Sequence, residues 1–304
     1  VRIAVFPGQG SQSPGFLSPW LALDGAADRL SQYSEWAGVD LVTAGTEWDA
    51  DQIRDTRVAQ PLIVAASLLS WNALPGRESV DGVAGHSVGE FAAAAAAGIL
   101  SEEDALRLVG IRGRAMAEAA AAAETGMSAV IGGDEASVVS RLEELGLTPA
   151  NYNGGGQLVA AGALDALARL AAEPLAGTRV IPLQVAGAFH TSYMAPAVDA
   201  LRAAASEVSA SDPRVTVWTN RDGSAVDTGD HFVELLVDQV ASPVRWDLCM
   251  GAFSSAGVSG IVELSPAGTL TGLAKRALRG VPAVAVKTPD DLPAAADLLG
   301  SADA

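Results

Sequence analysis

Short apolar runs cut off by Gly, Pro or Asn alternate along the chain with longer stretches in which apolar residues return every three to four positions, the spacing of a helix face. RIAVF at 2–6 runs straight into Pro7 and Gly8 and reads as a strand buried on both faces, as in a mostly parallel sheet. The Gly-, Ser- and Pro-rich segment 7–15 follows as a short ordered loop. Helical spacing is clearest at 26–36 and 61–74. VDGVAG at 80–85 is a second strand, and a helix over 90–97 succeeds it almost without a gap, so the residues between them occupy a sharp strand-to-helix turn.

Beyond the alanine run that precedes Thr125 the pattern changes. A strand at 127–132, a helix at 134–146 with an acidic first turn, a hairpin of 149–153 with 157–162, a helix at 163–172 and a strand at 178–185 give the order β-α-β-β-α-β. That order is the split βαβ, ferredoxin-like unit. The remainder returns to helices at 195–208, 230–240 and 269–278 and strands at 215–219, 260–264 and 283–286. Alternation of this kind builds a parallel sheet covered on both faces. The expected organisation is α/β: a large subdomain from 1–124 and 190–304, with a small ferredoxin-like subdomain, 125–189, inserted in it.

Composition narrows the function. The chain has 304 residues, 49% of them apolar, enough for a full core. Against 19 basic side chains stand 36 acidic ones, a formal charge of -17, which argues against nucleic acid or an anionic membrane bound across a broad face. The longest apolar stretch, 91–100, has about half of the roughly 20 residues a bilayer span needs, and Glu90 and Glu102 flank it. The N-terminus lacks the basic, apolar and small-residue regions of an export signal, and a chain that begins at Val1 reads as trimmed or as started from an unusual codon. A soluble, cytoplasmic protein is expected. The single Cys249 excludes an internal disulfide and a cysteine zinc site, and it fits a reducing compartment.

Gly85-His86-Ser87-Val88-Gly89 is a G-x-S-x-G element, the nucleophile elbow, and it stands in the strand-turn-helix context that the motif requires. The start of the following helix offers backbone N–H groups to a developing oxyanion. Three histidines are the candidate bases. His86 adjoins Ser87 on a tight turn and points elsewhere, while His231 opens a helix in an Asp-rich stretch and is expected to be exposed. His190, in the loop after the last strand of the insert, is the best general base. No carboxylate stands where an α/β-hydrolase triad would have one, which leaves a backbone carbonyl or an amide side chain to orient the imidazole.

FPGQGSQ (6–12), GHSVGE (85–90), IRGRAM (111–116), GAFH (187–190), DQVASPVRW (238–246) and ELSPAGTLTGLAKR (263–276) occur in order over almost the whole chain. Together they resemble the bacterial malonyl-CoA:acyl carrier protein transacylase family, the acyltransferase that also occurs as domains of polyketide synthases. Ser265 stands where the late segment of the family usually has glycine. The resemblance implies a large α/β-hydrolase-like subdomain with an inserted ferredoxin-like one. It further implies transfer of malonyl from malonyl-CoA to the phosphopantetheine thiol of acyl carrier protein, in fatty acid and possible polyketide synthesis. Ser87 is implied as the nucleophile, His190 as acid and base, the backbone N–H groups of Gln9 and Val88 as the oxyanion hole, and the carbonyl of Gln239 as the group orienting the histidine. Arg112 is implied as the clamp for the free malonyl carboxylate, with Met116 on the same helical face, lining the acyl pocket or belonging to plain core.

In related polyketide acyltransferases a bulky residue just before the histidine goes with malonyl units, so Phe189 points to malonyl over methylmalonyl, a discrimination of about 1–3 kcal/mol. No metal or bound cofactor is implied, and a monomer is expected. A serine hydrolase or thioesterase, and a polyketide acyltransferase of other extender specificity, use the same nucleophile and base and stay open at this point. Malonyl-CoA is anionic and carrier proteins of this type are usually acidic, so the overall charge opposes both substrates. Two acid-free stretches break that field: 105–117, with Arg107, Arg112 and Arg114, and 264–289, with Lys275, Arg276, Arg279 and Lys287. Lys275, Arg276 and Arg279, read as one helix, are the expected docking site for the carrier or the CoA phosphates.

Overall fold

The computed structural model describes residues 1–300. In β1 (Arg2–Phe6) alternate residues feed two cores: Ala4 and Phe6 pack on one face and Ile3 and Val5 on the other, which is why no polar residue interrupts the run. Three helices follow, α1 (Ala26–Ala37), α2 (Leu41–Thr46) and α3 (Thr56–Ala73). The last starts at Thr56 rather than at Pro61. Asp55 caps it by accepting the Arg57 N–H at 2.9 Å, and Pro61 sits in the second turn, where burial of thirteen of the eighteen residues outweighs one missing hydrogen bond. β2 (Gly82–Gly85) turns directly into α4 (Gly89–Ala96). The chain then reverses over 97–101, and α5 (Glu102–Ala121) runs back, with Ser101 accepting the Asp104 N–H at 3.0 Å as its cap.

β3 (Thr125–Gly132), α6 (Glu135–Glu144), β4 (Thr148–Gly154), β5 (Gln157–Ala163), α7 (Leu164–Ala172) and β6 (Thr178–Pro182) form a separate antiparallel sheet in the order β4-β5-β3-β6. Side-chain alternation splits it into two faces: Val130, Leu158 and Ala160 pack with α6 and α7, while Met127, Ala129, Asn151, Asn153 and Val159 face a cleft. The last strand is shorter than 178–185. Beyond Pro182 the Leu183 N–H still donates to Met127 O at 2.9 Å, and the chain then lines that cleft with Leu183 and Val185.

α8 (Ala195–Ala205), β7 (Thr216–Trp218), α9 (Gly229–Asp238), α10 (Trp246–Ser255), β8 (Gly260–Glu263), α11 (Thr269–Ala277), β9 (Ala283–Ala285) and α12 (Leu292–Gly300) complete the fold. The large sheet has the order β7-β2-β1-β8-β9 with every pair parallel. Since β1 has β2 on one side and β8 on the other, the crevice beyond the strand ends opens beside it, the usual place for a ligand in such a sheet. α2, α5, α10 and α12 are helices that the hydrophobic pattern did not predict. The small sheet also meets the large subdomain through backbone. Tyr152 N–H donates to Val244 O and Val244 N–H to Ala150 O, both at 2.9 Å, so a loop from beyond α9 covers the edge of β4.

Candidate active site

Ser87 sits where β2 turns into α4. Both flanking glycines are required by close approach: a Cβ on Gly85 would stand 2.1 Å from the Glu90 nitrogen, and one on Gly89 would stand 2.2 Å from the Phe6 carbonyl oxygen. Ser87, at φ 52°, and His190, at φ 61°, are the only non-glycine residues with positive φ among the described residues. Such strain costs about 1–3 kcal/mol per residue and gathers at functional sites.

The Ser87 hydroxyl lies 2.7 Å from His190 Nε2, and His190 Nδ1 lies 2.9 Å from the Gln239 carbonyl oxygen. A carbonyl only accepts, so Nδ1 carries the proton and Nε2 turns its lone pair toward the serine O–H. His190 is buried, and that burial, aided by the nearby Arg112 guanidinium, pushes the imidazole down to about 3. It is therefore neutral at physiological pH and able to take a proton from Ser87. Gln239, in a single turn after α9, supplies the orientation for which no carboxylate was evident.

The reversal between α4 and α5 brings Arg112 back over the elbow, with Nη2 3.4 Å from Ser87 Oγ. Its Nη1 donates to Gln60 Oε1 and its Nη2 to Gln239 Oε1, both at 2.8 Å, while Nε has no acceptor. Only 1% of the residue is exposed and no carboxylate pairs with it. Burial lowers the guanidinium to about 10, against the opposing pull of Glu90. A buried cation held by amides alone is costly unless an anion joins it. Met116, one helical turn on, accepts a contact from Gln60 Nε2 at 3.4 Å and, with Phe189, lines the cleft of about 270 Å³ that holds Ser87.

Around the elbow, the Ser87 N–H donates to Asn220 Oδ1 at 2.7 Å, Gly89 N–H to His86 O at 3.0 Å and Glu90 N–H to Ser87 O at 3.0 Å. The backbone N–H groups of Val88 and Gln9, which also flank the cleft, have no protein acceptor among the described residues. Free backbone donors beside a nucleophile are able to meet an oxyanion. His86 points away from Ser87, with Nε2 3.0 Å from Asn153 Oδ1 on the small sheet, and His231 is exposed.

Gln60, Glu90 and Asn220 were not singled out from the sequence. Glu90 is buried and accepts from the Asn220 N–H at 2.7 Å and from Gln239 Nε2, and burial raises its carboxyl to about 8. The only signal available for Gln60 is a polar residue at the head of the apolar run PLIVAASLL.

The basic stretches need correction. Arg279 is not on one helix with Lys275 and Arg276: α11 ends at Ala277, and Arg279 lies in the turn that follows, before Gly280 at φ 88°. All three are exposed, and Arg276 Nη2 donates to Gln157 Oε1 at 2.9 Å. The other stretch is used internally. Arg107 pairs with Asp104 and Glu207, Arg114 donates to Ala37 O, and Arg112 is buried.

A second cleft of about 520 Å³, lined by Tyr152, Arg221, Asp238, Ser242 and Arg245 among others, has no histidine in its lining. Among the described residues no group of three or more His, Cys, Asp or Glu is placed to hold a metal ion, and no helix is long and apolar enough to cross a membrane.

The chain is 54% identical over 296 residues to the malonyl CoA-acyl carrier protein transacylase of Mycobacterium tuberculosis (strain ATCC 25618 / H37Rv), covering 96% of this chain and 98% of that one. Its fold superposes on the crystal structure of MCAT from Mycobacterium tuberculosis with a TM-score of 0.94 at 53% identity, over 97% of this chain and 100% of the other. A type II PKS acyl-carrier protein in complex with its malonyl-transacylase gives 0.91 at 30% identity, over 97% and 99%. The family model described as the acyl transferase domain matches residues 3–294, and by sequence, fold and the Ser87 elbow this chain belongs to that acyltransferase family.

Proposed function

We propose that the protein transfers a malonyl group from malonyl-CoA to the phosphopantetheine thiol of an acyl carrier protein, through a malonyl ester on Ser87. Ser87 Oγ attacks the thioester carbonyl while His190 Nε2 takes the hydroxyl proton. The oxyanion sits on the Val88 and Gln9 N–H groups, and collapse expels the CoA thiolate, which receives the proton from His190. In the second half the carrier thiol gives its proton to His190 and attacks the ester. Collapse frees Ser87 Oγ, which is reprotonated by the His190 imidazolium.

The observation that carries this reading is Arg112, a buried guanidinium without a carboxylate partner 3.4 Å from Ser87 Oγ. An acyl group that ends in a carboxylate supplies that partner through parallel hydrogen bonds. Phe189 and Met116 bound the acyl group and favour malonyl over a branched unit, and Lys275, Arg276 and Arg279 receive the carrier or the CoA phosphates. The charges that develop all have partners in side chains or backbone, so the proposal needs no metal or bound cofactor. The cleft is built within one chain, which fits a monomer, and the buried free Cys249 fits the cytoplasm. Residues 125–189 serve as the inserted unit that roofs the cleft.

Brief exposure to malonyl-CoA should add one malonyl mass to the intact protein and none to Ser87→Ala. Holo carrier protein added next should collect the group. Release mainly as free malonate overturns transfer in favour of hydrolysis.

A further inference from the structure

We propose that Asn220 is a positioning residue for acyl transfer, clamping the strained elbow and steering the oxyanion to Val88. The proposal rests on the acyl-serine chemistry assigned to Ser87 above. Asn220 lies two residues beyond the end of β7, is 0% exposed, and is 133 positions from Ser87 in the chain. Its side-chain amide spans the turn: Oδ1 accepts the Ser87 N–H and Nδ2 donates to the Gly85 carbonyl, each at 2.7 Å. One planar group therefore binds the backbone on both sides of His86.

The amide cannot turn over, because a flip would set Nδ2 against the Ser87 N–H and Oδ1 against the Gly85 oxygen. Its backbone is equally fixed, with the N–H donating to Glu90 Oε1 at 2.7 Å and the carbonyl accepting the Arg245 N–H at 2.8 Å. Two consequences follow for the chemistry. First, Ser87 at φ 52° gains a fixed partner in the conformation that costs it most, which holds Oγ within reach of His190. Second, the Ser87 N–H is occupied, so Val88 is left as the elbow donor for the oxyanion. Glu90 then links Asn220 to Gln239, whose carbonyl holds His190, and the nucleophile and base share one buried frame.

The test is single-turnover acylation by malonyl-CoA, followed by quenched intact-mass measurement, for wild type, Asn220→Ala and the smaller change Asn220→Ser. The rate constant should fall about 100-fold, the scale on which small misplacements of a reacting group act. The fraction acylated at long times and the half-saturating malonyl-CoA concentration should stay near wild type. A wild-type rate with an amplitude reduced in step with folded protein marks a merely structural role and overturns the proposal, as does an unchanged rate in either variant. If wild type itself is not acylated, it is the reaction assigned to Ser87 that fails.

Discussion

Replacing Arg112 with Gln should cut malonyl transfer by two to three orders of magnitude while leaving the fold as stable as before or more so. The guanidinium has two amide acceptors and an unpartnered Nε, and its titration near 10 instead of 12.5 corresponds to about 3 kcal/mol of desolvation that the protein alone does not return. A malonyl carboxylate supplies the missing charge through charge-assisted hydrogen bonds of about 1.5–3 kcal/mol each. Two of them, less the desolvation of the incoming carboxylate, leave about 3–4 kcal/mol, or roughly 150- to 1,000-fold in kcat/KM. An acetyl thioester has no carboxylate to offer. The assay is therefore the ratio of kcat/KM for malonyl-CoA over acetyl-CoA, which should collapse by that factor with the acetyl value little changed. Denaturant midpoints at pH 7 should be equal or higher in Arg112→Gln, because a neutral amide needs no counter-charge. Equal losses on both substrates, or destabilisation beyond about 1 kcal/mol, would show that Arg112 is a structural cation.

Because burial, then Arg112, hold His190 down to about 3, kcat/KM for malonyl-CoA should show no acid limb at the ordinary histidine value of 6.5, and a limb there refutes the neutral imidazole. The same displacement tilts stability. The unfolded chain binds the proton and the folded one does not, so this contribution is complete above 6.5 and is lost as pH falls toward 3. His190→Gln should flatten that part of the slope in urea titrations. In competition, Phe189→Ala should raise use of methylmalonyl-CoA relative to malonyl-CoA by roughly one to two orders of magnitude, and an unchanged ratio removes Phe189 from substrate choice. Lys275→Glu with Arg279→Glu should raise KM for the carrier or for malonyl-CoA with kcat retained, most strongly at low salt. Unchanged KM for both rejects docking there.

What was legible in the sequence was local. The unbroken RIAVF run, the βαββαβ order and the elbow glycines each declare themselves within a few residues, and the structure places all of them as expected. Long-range placement was not legible from spacing. Arg112 reaches Ser87 only because α5 doubles back, and Gln60 and Asn220 meet the site through tertiary packing from α3 and from the segment after β7. Some local signals were present but quiet. Trp246, Cys249, Met250 and Phe253 have helical spacing, yet no side-chain cap marks the start of α10. Asp104, just outside the acid-free stretch, is one turn from Arg107 and consumes it. Charge runs describe composition, whereas docking depends on which cations lack partners.

The pairing of Val244 with β4 makes the small sheet less transplantable than its two covalent ends imply. A graft of the segment from β3 to β6 into a relative would bring Ala150 and Tyr152 to a foreign loop that must present matching backbone groups. In this chain that loop closely follows Gln239, whose carbonyl holds His190. Exchange of the roof is thereby tied to the register of the base, and a working chimera has to carry residues 239–245 along with the sheet.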